Sequence, residues 1–236
     1  MIQYQVMSYC KKSKFVLPFV ALVAFLVISY SIQPAEIVSS IVLSSIVLFF
    51  LMVWICMGYH ETTDYVEEQI LHCHCPNKVR LYGSKIVFLI LIGCCMSAIV
   101  SMYPCLMSMM NGNQLFTREL TVWDGFCFFL LSLGASVMAI GFTYLFQPRC
   151  IPNRKLGMLL LFAVLIIAMS KVGIMRDYPA TTYVLWVVPP ITKLGEMLQS
   201  MTSVGIKEFA VILLYNIVYG ITYLGIGQWR LNKKLY

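Results

Sequence analysis

The side chains best suited to chemistry are concentrated in one stretch. Positions 58–85 read GYHETTDYVEEQILHCHCPNKVRLYGSK and hold all three histidines and four of the ten acids. At 100° per residue Glu61, Asp64, Glu67 and Glu68 share one arc, while Val66, Ile70 and Cys73 fall opposite. Thr62 or Thr63 can cap the start, acids in the first turn suit the helix dipole, and Pro76 ends it. The spacing predicts a short acidic amphipathic helix, followed by Lys78, Arg80 and Lys85. Such a helix is either a solvated connector or a docking element for a basic groove on a partner. Periodicity does not separate the two.

His72, Cys73, His74 and Cys75, with His60 nearby, are soft ligands that raise zinc or copper. Adjacent helical residues point in different directions, however, so the run reads as a fortuitous cluster and no metal is expected. Met102, Met107, Met109 and Met110 with Cys105 resemble a copper(I)-friendly thioether group. Methionine is also the usual gap-filler of apolar packing, and 15 occur in the chain. Of nine cysteines only Cys105 falls in a proposed outer segment, so no disulfide framework is expected.

The elements that must position these residues are apolar. The 236 residues are 60% hydrophobic and only 11% charged, against roughly 25% charged for a soluble domain. The chain reads as an all-α polytopic membrane protein of one domain, residues 1–236. Charge-poor stretches predict six spans, at about 15–33, 37–58, 85–104, 122–146, 156–174 and 208–229. Residues 178–192 are apolar too, but Pro189-Pro190 removes two backbone donors, which predicts a re-entrant or surface hairpin instead of a seventh span.

The net charge is +7. Most basic residues flank apolar runs, which points to lipid headgroups and topology; nucleic acid is not an expected partner. With the N-terminus in the cytoplasm, inner segments hold Lys11, Lys12, Lys14, Lys78, Arg80, Lys85, Arg149, Arg154, Lys155, Arg230, Lys233 and Lys234. Outer segments hold Arg118, Lys171, Arg176, Lys193 and Lys207. Both termini are then cytoplasmic by the positive-inside rule. The first apolar run lacks an Ala-x-Ala-type cleavage site and reads as a retained helix. Ahead of it, Ile2, Val6 and Tyr9 at i, i+4, i+7 predict an amphipathic helix on the inner leaflet.

Independent engines are missing from the sequence. No HExxH, no Gly-x-Ser-x-Gly serine and no histidine inside a proposed span is present, which argues against a membrane protease, a rhomboid-like hydrolase or haem ligation. Glu36, Asp124 and Lys171 lie near proposed span ends, not at the bilayer middle where a proton-coupled carrier needs its ionisable groups.

The order of parts resembles the ABC-2 type of ABC-transporter permease. The likeness is carried by an amphipathic N-terminal segment, two spans, the E-x2-D-x2-EE-x2-L helix, a Pro/Asn turn, and G-S-K entering span three. A small basic loop at 148–155, a proline-broken outer segment at 175–203 and a short basic tail complete it. The resemblance implies that residues 61–75 form a coupling helix contacting an ATPase subunit, with Glu61, Asp64, Tyr65, Glu67, Glu68, Ile70 and Leu71 as its contact residues. It implies a second permease copy or paralogue, and spans one, two and five of two copies lining a path. No G-x4-GK[ST] loop occurs here. ATP and Mg therefore belong to the partner subunit, with no cofactor and no catalytic residue in this chain.

The expected function is ATP-driven export from a bacterial plasma membrane. Charge-free spans point to a hydrophobic or amphipathic peptide entering from the lipid, as in small permeases that export bacteriocins or phenol-soluble-modulin-like toxins. The alternatives are an ABC-2 permease for a drug, lipid or copper-linked cargo, and a sensory or immunity membrane protein without transport.

Overall fold

The computed structural model describes residues 2–31, 34–62, 78–112, 115–148, 150–151, 153–198 and 204–234. Among these the chain is all-helical. The elements are α1 (Ile2–Lys11), α2 (Val16–Ser29), α3 (Ile37–Thr62), α4 (Lys78–Met110), α5 (Val122–Tyr144) and α6 (Arg154–Asp177). A 3₁₀ turn (Pro179–Thr181) and two short helices, α7 (Thr182–Leu185) and α8 (Lys193–Leu198), then lead to α9 (Ile206–Lys234). The nearest thing to sheet is a parallel bridge, in which Ala35 N donates to Leu115 O at 2.9 Å and Thr117 N to Ala35 O at 3.1 Å.

Among the described residues five helices are long and apolar enough to cross a bilayer: Ile37–Glu61, Leu81–Met110, Val122–Tyr144, Arg154–Asp177 and Ile206–Leu231. The chain is a multi-pass helical membrane protein. The first proposed span is shorter than expected. Its helix α2 has 14 residues, about 21 Å of rise against a hydrocarbon core of about 30 Å.

Helix α5 is the axis of the bundle, packed by α3, α4 and α9. Its most apolar window is 67% buried, whereas that of α6 is 17% buried and lies on the periphery. Small residues let the neighbours close in on α5. A Cβ added to Gly141 would overlap the Gly220 carbonyl of α9, and one on Gly220 would sit 3.0 Å from Val137 O. Without a hydrophobic drive between helices in lipid, such backbone approach supplies the packing contacts that hold the pair. Ser45 and Ser97, from α3 and α4, lie 3.5 Å from the hydroxyls of Ser132 and Ser136 on α5.

The segment expected as a loop at 58–85 is mostly helical at its two ends. Helix α3 continues through Thr62 and α4 begins at Lys78, so the connection is confined to residues 63–77. Thr62 is the last residue of α3, and the expected acidic helix with its other cap candidate, Thr63, lies outside the described residues. Helix propagation is cooperative, and charge alone does not end it. Tyr59, His60 and Glu61 all have packing or ion-pair partners that reward another turn.

Helix α1 forms as expected, and the bundle buries part of it. Tyr9 is buried, Val6 is exposed, and the buried residue one turn before Tyr9 is Gln5. The reason is a polar partner: Gln5 Nε2 donates to Ser84 Oγ at 2.9 Å, and Ser84 Oγ donates to Leu81 O at 2.8 Å.

Candidate functional site

Two constructions stand out, one at an end of the bundle and one beside the middle of its last helix. The first is the base from which residues 63–77 emerge. Glu61, in the last turn of α3, accepts from Arg154 at the start of α6, with Nε to Oε1 at 3.1 Å and Nη2 to Oε2 at 2.5 Å. Lys14, in the turn between α1 and α2, reaches the same carboxylate at 3.4 Å. A forked guanidinium on a carboxylate fixes geometry as well as charge. One acid thereby ties together three elements.

Beneath it Tyr9, Tyr59 and Phe88 form a ring cluster with centroids 5.3–5.9 Å apart. The His60 ring lies 5.8 Å from both Tyr59 and Tyr144, and its Nε2 is buried with no hydrogen-bond partner. His60 lies in the last turn of α3, beside Glu61. Lys85 Nζ lies 5.4 Å from the centroid of the Tyr82 ring. Both ends of the 63–77 connection therefore start from a packed base.

Of the proposed contact residues Glu61 alone is placed. Asp64, Tyr65, Glu67, Glu68, Ile70 and Leu71 lie outside the described residues, as do His72, Cys73, His74 and Cys75.

The second construction comes after α6. Past α7 the backbone leaves helical geometry at Trp186, and Pro189 and Pro190 are buried. Three successive carbonyls lose their helical donors, and each is met by a side chain. Tyr219 OH donates to Trp186 O at 2.8 Å, Tyr223 OH to Val187 O at 2.7 Å, and Lys171 Nζ to Val188 O at 3.3 Å. Tyr219 stands thirteen residues past Ile206 on α9, about 20 Å along the helix. This strap accordingly runs beside the middle of α9, not across its end.

Tyr215, Tyr219 and Tyr223 recur every four residues, so they share one face of α9. That spacing was readable in YNIVYGITY and marks a row of hydroxyls in an apolar helix. Its carbonyl partners, 33 and 36 residues away, were not readable. Beside the strap lies a cleft of about 210 Å³, lined in part by Lys171, Trp186, Glu196, Tyr215 and Tyr219.

At the start of α5 Arg118 donates to both oxygens of Asp124, at 2.8 and 2.7 Å. Asp124 also accepts from the Thr121 backbone and hydroxyl at 3.0 and 2.6 Å, closing a capping box on α5. The bond to Asp124 holds the Arg118 guanidinium above its ordinary pKa. Trp123 Nε1 donates to Val204 O at 3.0 Å, pinning the start of α5 to the segment entering α9.

The methionine group does not converge. Met102, Met109 and Met110 are exposed on α4 while Met107 packs against the core. Cys105 lies within α4, not in an outer loop, and a Cβ on Gly125 would meet its sulfur at 3.5 Å. Among the described residues Cys56, Cys94, Cys95, Cys105, Cys127 and Cys150 form no disulfide. Among the described residues no three His, Cys, Asp or Glu side chains come close enough to hold a metal ion.

No protein-family model, no curated protein and no solved structure matches this chain.

Proposed function

We propose that this chain is the membrane-spanning permease subunit of an ATP-driven exporter of the ABC-2 type. The observation that carries the reading is the base of the 63–77 connection. A segment holding Asp64, Glu67 and Glu68 leaves two helix ends tied by Glu61 to Arg154 and Lys14, and by Gln5 to Ser84. Force delivered to a segment so anchored reaches α3 and α4 directly and α6 through Arg154. A separate ATPase subunit, which brings ATP and Mg, docks on the acids and supplies that force; this chain performs no hydrolysis.

In this reading the end bearing Lys14 and Arg154 faces the cytoplasm, and six crossings result once α2 and its flanking residues traverse the bilayer. The α1 helix lies on the inner leaflet, where its exposed Tyr4, Val6 and Met7 meet lipid. The strap at 186–190 is re-entrant. Irregular backbone is tolerated at membrane depth only where other groups satisfy it, and Tyr219, Tyr223 and Lys171 do so. Two permease copies, identical or paralogous, form the path with α2, α3 and α6. The apolar surfaces of α2 and α6 support an amphipathic peptide, of the antimicrobial or toxin kind, as cargo in a bacterial plasma membrane.

Co-expression with a nucleotide-binding subunit tests this. The pair is expected to co-purify, and an amphipathic helical peptide to raise its ATPase rate. Glu67→Lys with Glu68→Lys is expected to abolish the stimulation while membrane insertion is unchanged. Peptide movement by the purified chain without any ATPase would overturn the proposal.

A further inference from the structure

A smaller cleft opens where α2 ends and α3 begins. Ser29 and Tyr30 come from the end of α2, and Glu36, Ser39, Ser40 and Ser44 from the start of α3. Every polar side chain lining it ends in oxygen, and Glu36 carries its one charge. Glu36, Ser40 and Ser44 recur every four residues, so they share one face. Ser39 Oγ donates to Glu36 Oε2 at 2.6 Å, yet a carboxylate has about four acceptor positions and takes further donors. Among the described residues no cation pairs with Glu36.

The floor is Tyr30, whose ring packs against Tyr103 and Phe116 with centroids 5.8 and 6.0 Å away. Its hydroxyl is buried and completes no hydrogen bond, with the Ser40 and Ser44 hydroxyls beside it. A buried hydroxyl left unmet is costly. A donor entering the cleft settles this, because Ser40 accepts from it and turns its own O–H toward Tyr30. The two helix ends that meet here carry opposite ends of the helix dipole, so Glu36 sets the local charge. An oxygen-only lining with one carboxylate selects a cation bearing N–H groups and repels an anion.

Place and size identify the carrier of that cation. Glu36 is exposed and stands immediately before the apolar span that starts at Ile37. Leu43, on the wall of the cleft, and Ile28, next to Ser29, are exposed apolar groups. The mouth therefore lies where headgroups give way to hydrocarbon. At about 120 Å³ the cleft is well below the roughly 300–1,000 Å³ that encloses a drug-sized ligand, and it admits a single amine-bearing group. We infer that it binds the primary ammonium of a phosphatidylethanolamine headgroup, with the N–H groups on Glu36 and Ser40 and with Phe25 as an apolar wall. Phosphatidylglycerol brings no cation, and the quaternary ammonium of phosphatidylcholine has no N–H to donate. Recognition of the lipid does not depend on transport.

The detergent-purified full chain is titrated with phosphatidylethanolamine, phosphatidylcholine or phosphatidylglycerol of identical acyl chains, and retained lipid is counted by native mass spectrometry. Half-occupancy is expected at about two- to fivefold lower phosphatidylethanolamine than either other lipid, the ratio set by one partly exposed charge contact. Glu36→Gln is expected to erase the preference over phosphatidylglycerol, while Glu119→Gln, outside the cleft, keeps it. Ser40→Ala is expected to narrow the preference over phosphatidylcholine and leave phosphatidylcholine retention as it was. Equal retention of the three lipids by the wild type, or a preference that survives Glu36→Gln, overturns the inference. So does displacement of phosphatidylethanolamine by equimolar free ethanolamine, or by an equimolar lysine-bearing peptide whose binding is lost in Glu36→Gln.

Discussion

Tyr223→Phe removes one hydroxyl and nothing else, and the surroundings of that hydroxyl set the cost. Tyr223 is 6% exposed, and its hydroxyl lies 2.7 Å from Val187 O. Pro189 and Pro190 cannot donate, so the strap has little means of repairing the loss. The bond is part-buried, so losing it is expected to cost up to about 1–3 kcal/mol, the value for a fully buried acceptor left without a donor. Tyr219 makes the same bond to Trp186 O at 2.8 Å from a more exposed position beside the cleft. Its loss is expected to cost about 0.5–1.5 kcal/mol, the usual net value of a hydrogen bond. The order Tyr223→Phe worse than Tyr219→Phe is therefore the signature. Reversible unfolding in mixed micelles monitored by tryptophan fluorescence gives the energies, and limited proteolysis of residues 178–192 reports local release of the strap. If both variants unfold like the wild type and the segment stays protected, the carbonyls are not held by these hydroxyls and the strap reasoning fails.

Other perturbations test other joints. Gly141→Val forces a side chain into the Gly220 carbonyl; separating α5 from α9 is expected to destabilise by about 1–3 kcal/mol, measured by the same unfolding assay. Arg118→Gln strands a carboxylate that is 1% exposed; it is expected to lose about 1.5–3 kcal/mol, the value of a hydrogen bond to a charged group, whereas Glu119→Gln at the neighbouring position is expected to change nothing in the same measurement. Arg154→Gln removes the forked partner of Glu61. Because Arg154 is largely exposed, stability is expected to fall by less than about 1 kcal/mol, while peptide-stimulated ATPase of the assembled complex falls further as the lever loosens.

Much of the helical frame was legible because charge and proline mark where apolar runs stop. Helix α3 starts at Ile37, just after Glu36, and α5 starts at the expected Val122, with Asp124 inside its first turn. The same reasoning failed at Glu61. There a charge predicts a helix end, although Arg154 and Lys14 neutralise it and the helix continues. At α1 nothing local showed that Ser84 draws Gln5 inward, because a polar partner 79 residues away leaves no local trace. The break at Pro189-Pro190 was readable and its position beside the middle of α9 was not, since that depends on which carbonyls Tyr219 and Tyr223 reach. Glycine pairing at 141 and 220 is likewise a fact about two helices, and neither sequence segment announces it alone.

The central claim is that residues 63–77 receive force from another polypeptide. A photo-crosslinking amino acid placed at Tyr65 in the intact complex tests it most directly, with the same group at exposed Tyr183 as the control from the opposite end. The account predicts a crosslink from position 65 to the ATPase subunit that changes with nucleotide state, and none from position 183. A complex that hydrolyses ATP and moves peptide while position 65 captures no partner would contradict it.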